Sequence, residues 1–137
     1  MTPLSDPEIQ ALSDALDDEY KSYATYAQVI ADFGPERPFV NIVEAEARHF
    51  SALLVLFDTY GITPPKDRWR GHAPRFASLH AACVAAVQGE IDNVAIYGRV
   101  LNSTTCADIL RVYSALREAS PDRHLSPFRR CAERGQR

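Results

Sequence analysis

The chain has 137 residues and a formal net charge of −3, and 46% of its residues are hydrophobic and 24% charged. This length predicts a single domain, residues 1–137, and this composition excludes a mostly disordered chain. We find no basic stripe for phosphates and no apolar run near the roughly 20 residues of a membrane span, so neither nucleic acid nor a membrane is an expected partner. The first ten residues lack the basic and apolar regions of a signal peptide, and we expect a cytoplasmic protein.

Two helices are predicted in the first half of the chain. The first follows Asp6-Pro7, an N-cap with proline at the first helical position, and ends at Gly34-Pro35. The second runs from about Pro38 to Tyr60 and stops at Gly61. Helical spacing predicts which residues of each helix face inwards. These are Leu12, Leu16, Glu19, Tyr23, Tyr26 and Ile30 in the first helix, and Ile42, Glu46, His49, Leu53 and Leu56 in the second.

Two more helices are predicted after a long connection rich in proline and glycine, residues 61–77. Thr105, followed by Asp108 three residues later, is the predicted N-cap of the fourth helix. The inward positions are Leu79, Cys83, Ala86, Glu90, Tyr97 and Leu101 in the third helix, and Ile109, Tyr113, Leu116, Ser120 and His124 in the fourth. No alternating strand pattern stands out.

The connections between the four helices are short, long and short in turn. This order predicts two antiparallel helix pairs joined by a crossover between the second and third helices. The expected fold class is therefore all-α, a ferritin-like four-helix bundle.

Ionisable side chains on the apolar faces are the informative positions, because burying an isolated charge is costly. Each of the four helices contributes at least one such inward side chain. Other acidic residues fall on other faces and are expected to be solvated, namely Asp17, Asp18, Glu44 and Asp92. Glu44 is within reach of Arg48 one helical turn later. The inward set is Glu19, Glu46, His49, Glu90 and His124.

Carboxylate and imidazole ligands suit a divalent metal ion such as iron or manganese. Glu46 and His49 form a Glu-x-x-His pair, which places both side chains within one helical turn. We therefore expect one or two iron or manganese ions per chain, held by the inward set. The alternative is a helical interaction or dimerisation protein without enzymatic activity, whose inner polar residues bond to one another without metal.

Four stretches of the sequence resemble a small ferritin-like family known mainly as a domain of unknown function. They are DDEYKSYATY, PFVNIVEAEARHFSALLVLFDTYGI, VQGEIDNVAIYGRVL and REASPDRHLSPFRRC, which together span nearly the whole chain. The resemblance implies metal ligands at Glu19, Glu46, His49, Glu90 and His124, and a non-haem metal protein able to react with oxygen or peroxide. Whether the chain is an enzyme, and whether it forms a homodimer, stay open.

The sequence departs from the wider superfamily at the position three residues before His124. A second Glu-x-x-His is expected there, but the residue is Pro121, and Asp122 points to another face. We therefore expect two unequal metal positions, with the weaker one beside His124. Pro121 and Pro127 either disturb the fourth helix or mark a new short helix that begins at Ser120-Pro121.

The remaining residues allow two interpretations each. Tyr23, Tyr26 and Tyr97 either bond to ligand carboxylates or only pack, and Trp69 either belongs to a lid or partner surface or anchors its own loop. No CxxC pair is present, so we interpret Cys83, Cys106 and Cys131 as buried free thiols.

Overall fold

Helices account for most of the computed structural model, which describes residues 2–134, with the side chains of residues 120–122 excepted. Four long helical stretches form a bundle, and no β-strand occurs within the described residues. The helices are α1 (Asp6–Phe33), α2 (Phe39–Thr59), α3 (Leu79–Val100), α4 (Ala107–Ala119) and α5 (Ser126–Arg134), and a π-helical segment, Ser120–Leu125, joins α4 to α5. No described helix meets the length and hydropathy that crossing a membrane requires.

The starts of two helices differ from the sequence prediction. Helix α1 is capped by Ser5 rather than Asp6, because Ser5 and Glu8 form a capping box in which each side chain accepts from the other residue's backbone N–H. The predicted cap Thr105 is also wrong. Helix α4 begins at Ala107, and the hydroxyl that accepts a backbone hydrogen bond there is that of Thr104, from Cys106 N–H at 3.1 Å.

Helix α1 ends where the sequence predicts. Gly34 lies at its end with a φ of 91°, a conformation that favours glycine.

The fourth helical stretch is disturbed at Ser120-Pro121, as the first of the two interpretations predicts, since regular α geometry ends at Ala119. The wider turn of the π-helical segment carries the chain from α4 into α5. Proline lacks the amide that a regular α-helix needs at each interior position, and a π-helical turn is a place where the ladder of hydrogen bonds already changes. Such turns often occur at functional sites. This one carries His124.

Contacts between the helices define their directions. Helix α1 runs antiparallel to α2 and to α3, since Tyr20 contacts Phe50 while Tyr26 contacts Phe39, and Tyr97 bonds to Glu19 while Glu90 bonds to Tyr26. Helices α2 and α3 are therefore parallel to each other, and the connection of residues 60–78 has to traverse the length of the bundle.

Two pairs of ionic contacts attach this connection to α1. Arg68 donates two hydrogen bonds to Asp17, of 2.8 and 2.9 Å, and Arg75 binds Asp32 in the same way. Trp69 donates from Nε1 to Asp17 at 3.1 Å and lies under the Arg68 guanidinium. Trp69 therefore anchors its own loop, the second of the two interpretations of this residue.

The apolar core is divided into two clusters by a polar layer. The Leu16 cluster fills one end of the bundle, and its members are Ala11, Leu12, Ala15, Leu16, Leu53, Leu56, Phe57, Tyr97, Val100, Ile109, Tyr113 and Leu116. The Phe128 cluster fills the other end, with Tyr26, Val29, Phe39, Ile42, Ala82, Cys83, Ala86, Phe128 and Cys131. All five inward ionisable residues of the sequence prediction lie in the layer between them.

The cysteines correct the prediction of three buried free thiols. Cys83 of α3 and Cys131 of α5 form a disulfide with a Cα–Cα distance of 5.8 Å, within the range usual for such bonds. Cys106 is free and only half-buried. Sequence spacing missed the pair because the two cysteines are 48 residues apart and meet only through helix packing. The cytoplasmic location stays a prediction, and this bond weighs against it, since disulfides persist mainly in oxidising compartments.

Candidate metal centre

The structure brings all five predicted ligand residues into one interior layer. Glu19 comes from α1, Glu46 and His49 from α2, Glu90 from α3 and His124 from the π-helical segment. Glu19 is fully buried, Glu46 and Glu90 are 2% exposed and His124 is 3% exposed. Ionised carboxyl groups that are buried this close together destabilise the fold unless positive charge compensates them.

The five residues form two groups of three that share Glu46. Glu19, Glu46 and His49 make one group, and Glu46, Glu90 and His124 make the other. Within each group the ligand atoms all lie within 4.8 Å of one another. The imidazole rings of His49 and His124 stack with their centroids 5.5 Å apart.

The distances within the groups are those of neighbouring ligands on one ion. His49 Nδ1 lies 3.4 Å from Glu19 Oε2 and 3.6 Å from Glu46 Oε2. His124 Nδ1 lies 3.2 Å from Glu46 Oε1 and 3.4 Å from Glu90 Oε1. Two ligands at about 2.1 Å from an ion are about 3.0 Å apart in octahedral and about 3.4 Å apart in tetrahedral geometry. Each carboxylate oxygen of Glu46 therefore faces a different imidazole.

A tyrosine holds each of the outer carboxylates. Tyr97 donates a hydrogen bond of 2.7 Å to Glu19 Oε1, and Tyr26 donates one of 2.7 Å to Glu90 Oε1. Both tyrosines therefore form the hydrogen bonds to the inward carboxylates that one of their two interpretations predicts. Tyr23 instead packs edge-on against Phe50. Hydrogen bonds like those of Tyr97 and Tyr26 fix the orientation of a carboxylate that binds a metal.

Asn93 is a residue of this site that the sequence analysis missed. Its amide donates to Glu19 Oε1 at 3.1 Å and to Asp18 Oδ2 at 2.8 Å. The available signal was its position three residues after Glu90 and four before Tyr97, on the inward face of α3. Asp18, expected to be solvated, is half-buried, and this desolvation raises the pKa of its carboxyl to about 6.

One carboxylate oxygen at the centre has no well-aligned hydrogen-bond donor among the described residues. Glu19 Oε2 is buried and accepts no hydrogen bond within the described part of the chain, while Glu19 Oε1 accepts two. The nearest donor to this oxygen is His49 Nδ1 at 3.4 Å, so the oxygen faces the group that contains His49. A lone buried carboxylate oxygen is a position where a cation fits the donor set.

The carboxyl groups of this layer share protons when no ion is bound. Desolvation and the nearby Glu46 carboxylate raise the pKa of Glu19 to about 7. Burial also opposes the ionisation of Glu46, but hydrogen bonds with Glu19 and with both imidazoles outweigh it, and the pKa of Glu46 is lowered.

Both imidazoles hold their protons strongly. Burial lowers the pKa of each ring, but hydrogen bonds to the carboxylates have the larger combined effect. The pKa of His49 is raised to about 10 and that of His124 to about 9. Without an ion, two imidazolium groups therefore balance most of the carboxylate charge, and an ion that binds has to displace these protons.

The structure also changes one expectation about the ligands. From the sequence we expected the weaker of two metal positions beside His124, because Pro121 stands where a second ligand carboxylate is usual. Instead Glu19 lies beside His49 and Glu90 beside His124, so each group has two carboxylates and one imidazole. The side chains of Pro121 and Asp122 lie outside the described set, and the inequality in affinity stays a prediction. The predicted contact of Glu44 with Arg48 does not form an ion pair in the described structure.

Comparisons with known proteins show the fold. Neither a protein-family model nor a curated protein matches the sequence. The structure is similar to that of hypothetical protein MJ0754 from Methanococcus jannaschii, with a TM-score of 0.86 and 23% identity over 99% of this chain and 85% of that one. It is also similar to a conserved hypothetical protein, rv2844, from Mycobacterium tuberculosis, with a TM-score of 0.79 and 20% identity over 93% of this chain and 91% of that one. The chain therefore shares an all-helical bundle fold with proteins from an archaeon and a bacterium.

Proposed function

We propose that this chain is a ferritin-like protein that binds iron or manganese in the polar layer of its bundle. The observation that carries the proposal is the pair of ligand groups sharing Glu46, each with two carboxylates and one imidazole. Helix order agrees with it, because α1 and α2, then α3 and α4, form antiparallel pairs joined by a long crossover. Carboxylates and imidazoles in a bundle interior are the ligands of such metal proteins.

In this proposal Glu46 is shared between two ions, and each outer carboxylate serves one of them. Glu19 and His49 complete one position, and Glu90 and His124 the other. Tyr97 and Tyr26 keep the outer carboxylates in place, and Asn93 supports Glu19. The apolar clusters on both sides exclude water from the layer.

A bound iron or manganese ion supplies one-electron chemistry with dioxygen or peroxide. The chain provides the ligands, their orientation and a dry surrounding. A cavity of about 280 Å³ between α2 and the π-helical segment reaches His49 and His124 and is a path by which small molecules reach the layer.

The competing function is an interaction protein whose polar layer holds no ion. The raised pKa values of both histidines favour it, since two imidazolium groups are able to pair with the carboxylates. Against it stands Glu19 Oε2, for which such a network provides only the poorly aligned His49 Nδ1 at 3.4 Å. Metal content separates the two functions.

The experiment measures metal in protein purified under conditions that retain bound ions, and again after anaerobic loading with ferrous iron or Mn²⁺. We expect one or two ions per chain in the wild type. Glu46→Gln should lose nearly all of them, because it removes charge from both positions, and His49→Ala should lose at least one. Glu44→Gln is the matched control, since Glu44 is exposed on the same helix. Absence of metal from the loaded wild type, or equal loss in Glu44→Gln, contradicts the proposal.

A further inference from the structure

A basic groove lies at the end of the bundle that holds the Phe128 cluster. It has a volume of about 320 Å³ and separates the start of α2 from the π-helical segment and α5. Four arginines line it, Arg37, Arg123, Arg130 and Arg134, together with Asn41 and Pro127. The sequence analysis found no basic stripe because Arg37 is more than 80 residues away from the other three along the chain, and only folding brings them together.

No described acidic residue lines this groove beside its four arginines. None of its four arginines forms an ion pair with a carboxylate in the described part of the chain, whereas Arg68, Arg75 and Arg99 each do. The chain as a whole is acidic, with a net charge of −3. Four like charges around one cavity repel one another, and an anion that enters the groove relieves this repulsion.

The backbone adds to the positive potential. Helix α2 begins at Phe39, between Arg37 and Asn41 of the groove, and its first turn contains no acidic residue. The amides of Val40, Asn41 and Ile42 already donate to the carbonyls of Glu36 and Pro38, so the helix contributes through its dipole, whose N-terminal end carries partial positive charge. The dipole of α2 and the four guanidinium groups therefore act in the same direction.

The groove continues towards the polar layer. The cavity of about 280 Å³ that reaches His49 and His124 shares Asn41 and Arg123 with it. Arg48, another arginine without an ion pair among the described residues, lines this second cavity. The groove therefore lies directly beside the cavity that reaches the polar layer.

We propose that the groove binds a small molecule that carries an oligophosphate group. Guanidinium groups bind phosphate oxygens in pairs, and arginines from both walls suit several linked phosphates better than one. The volume matches a small-molecule pocket. A single-stranded nucleic acid fits less well, because no aromatic side chain within the described structure lines the groove to stack on bases.

The test is isothermal titration of the full chain with inorganic tripolyphosphate, after bound metal and chelator have been removed. We expect one saturable site. Arg37→Gln and Arg130→Gln should each weaken binding about tenfold, the usual effect of losing a charge-assisted contact. Arg129→Gln is the matched control, because Arg129 is exposed on α5 next to Arg130 and does not line the groove. It should change the affinity less than about twofold, by screening alone.

Several results overturn the proposal. No saturable binding, or equal weakening by Arg129→Gln, means that only the general field of the protein attracts the anion. Orthophosphate that binds as tightly as tripolyphosphate shows a site for one phosphate group. A single-stranded oligonucleotide that binds more tightly and displaces tripolyphosphate assigns the groove to nucleic acid. Because the titration uses metal-free protein, it does not depend on the proposed function, and the metal content of Arg130→Gln should equal that of the wild type.

Discussion

The Leu16 cluster is enclosed by four regular α-helices, whereas the Phe128 cluster has the π-helical segment and α5 as its fourth side. The disulfide and the basic groove lie at the Phe128 end. His124 lies in the π-helical segment that separates the regular helices α4 and α5. Each half holds one outer carboxylate through a tyrosine, Tyr97 or Tyr26, and the Phe128 half also supplies His124 from its π-helical segment.

Phe128→Ala should give the largest effect. Phe128 is fully buried between Tyr26 and Phe39, so its removal should cost about 3–5 kcal/mol of unfolding free energy. Since Tyr26 holds Glu90, metal affinity should fall as well. Leu12→Ala in the other cluster should also cost about 2–5 kcal/mol but leave metal affinity unchanged. Urea unfolding and metal titration of both variants measure this difference, and equal loss of metal affinity would remove the distinction between the halves.

Removal of the disulfide should have the next largest effect. Cys83→Ser with Cys131→Ser opens a link across 48 residues and should cost about 2–4 kcal/mol, while Cys106→Ser should cost less than about 1 kcal/mol. Thermal melts with and without reductant check the result. A wild type that melts at the same temperature in both conditions, with reduction confirmed by thiol titration, would show that the bond does not stabilise α5.

The regular part of the fold was predictable from the sequence because local patterns determine it. Apolar spacing located all four helical stretches, and Gly34 marked an end within a residue. The same spacing found the five inward ionisable residues, because a charged group on an apolar stripe stands out.

The missed features depend on contacts between distant residues. The disulfide and the basic groove each join residues of α5 to another helix far away in sequence. Asn93 is polar but uncharged, so its inward position gave a weaker signal. The π-helical segment was missed because proline reports only that a regular helix is disturbed there, and not how the chain continues.

One tyrosine from each half of the bundle contacts an outer carboxylate of the candidate metal centre. Tyr97→Phe in the Leu16 cluster and Tyr26→Phe in the Phe128 cluster each remove one hydrogen bond to an outer carboxylate. Each should lower metal affinity about tenfold, the lower end of what such supporting bonds contribute. Tyr23→Phe is the control, because Tyr23 packs on Phe50. Competition with a fluorescent chelator measures the affinities, and an effect of Tyr23→Phe equal to the others would contradict the assigned roles.

The last expected effect is on the pH dependence of metal-free protein. The pKa values of Glu19, His49 and His124 are raised to about 7, 10 and 9, so folded protein binds more protons than unfolded protein between about pH 4.5 and 10. The stability that these three groups contribute is present below their unfolded pKa values and is lost as the pH rises through the folded ones. The lowered pKa of Glu46 acts in the opposite direction, at acid pH.

Melting temperatures therefore should fall between pH 6.5 and 9.5 after chelator treatment, by about 5 °C for each kcal/mol lost. Metal-loaded protein should not show this fall, because the ion replaces the protons. Melts of both forms across this range measure the difference, and His49→Gln should flatten the profile of the metal-free form. Identical profiles with and without metal would contradict an ion in the polar layer.

Anomalous diffraction from crystals of Mn²⁺-loaded protein tests the metal centre most directly, because it locates the ions. We expect two peaks inside the bundle on either side of Glu46, one beside Glu19 and His49 and the other beside Glu90 and His124, and neither peak in Glu46→Gln crystals. Manganese found only at the surface, or an empty polar layer at saturating Mn²⁺, would show that these five side chains form a hydrogen-bonded network instead of a metal centre.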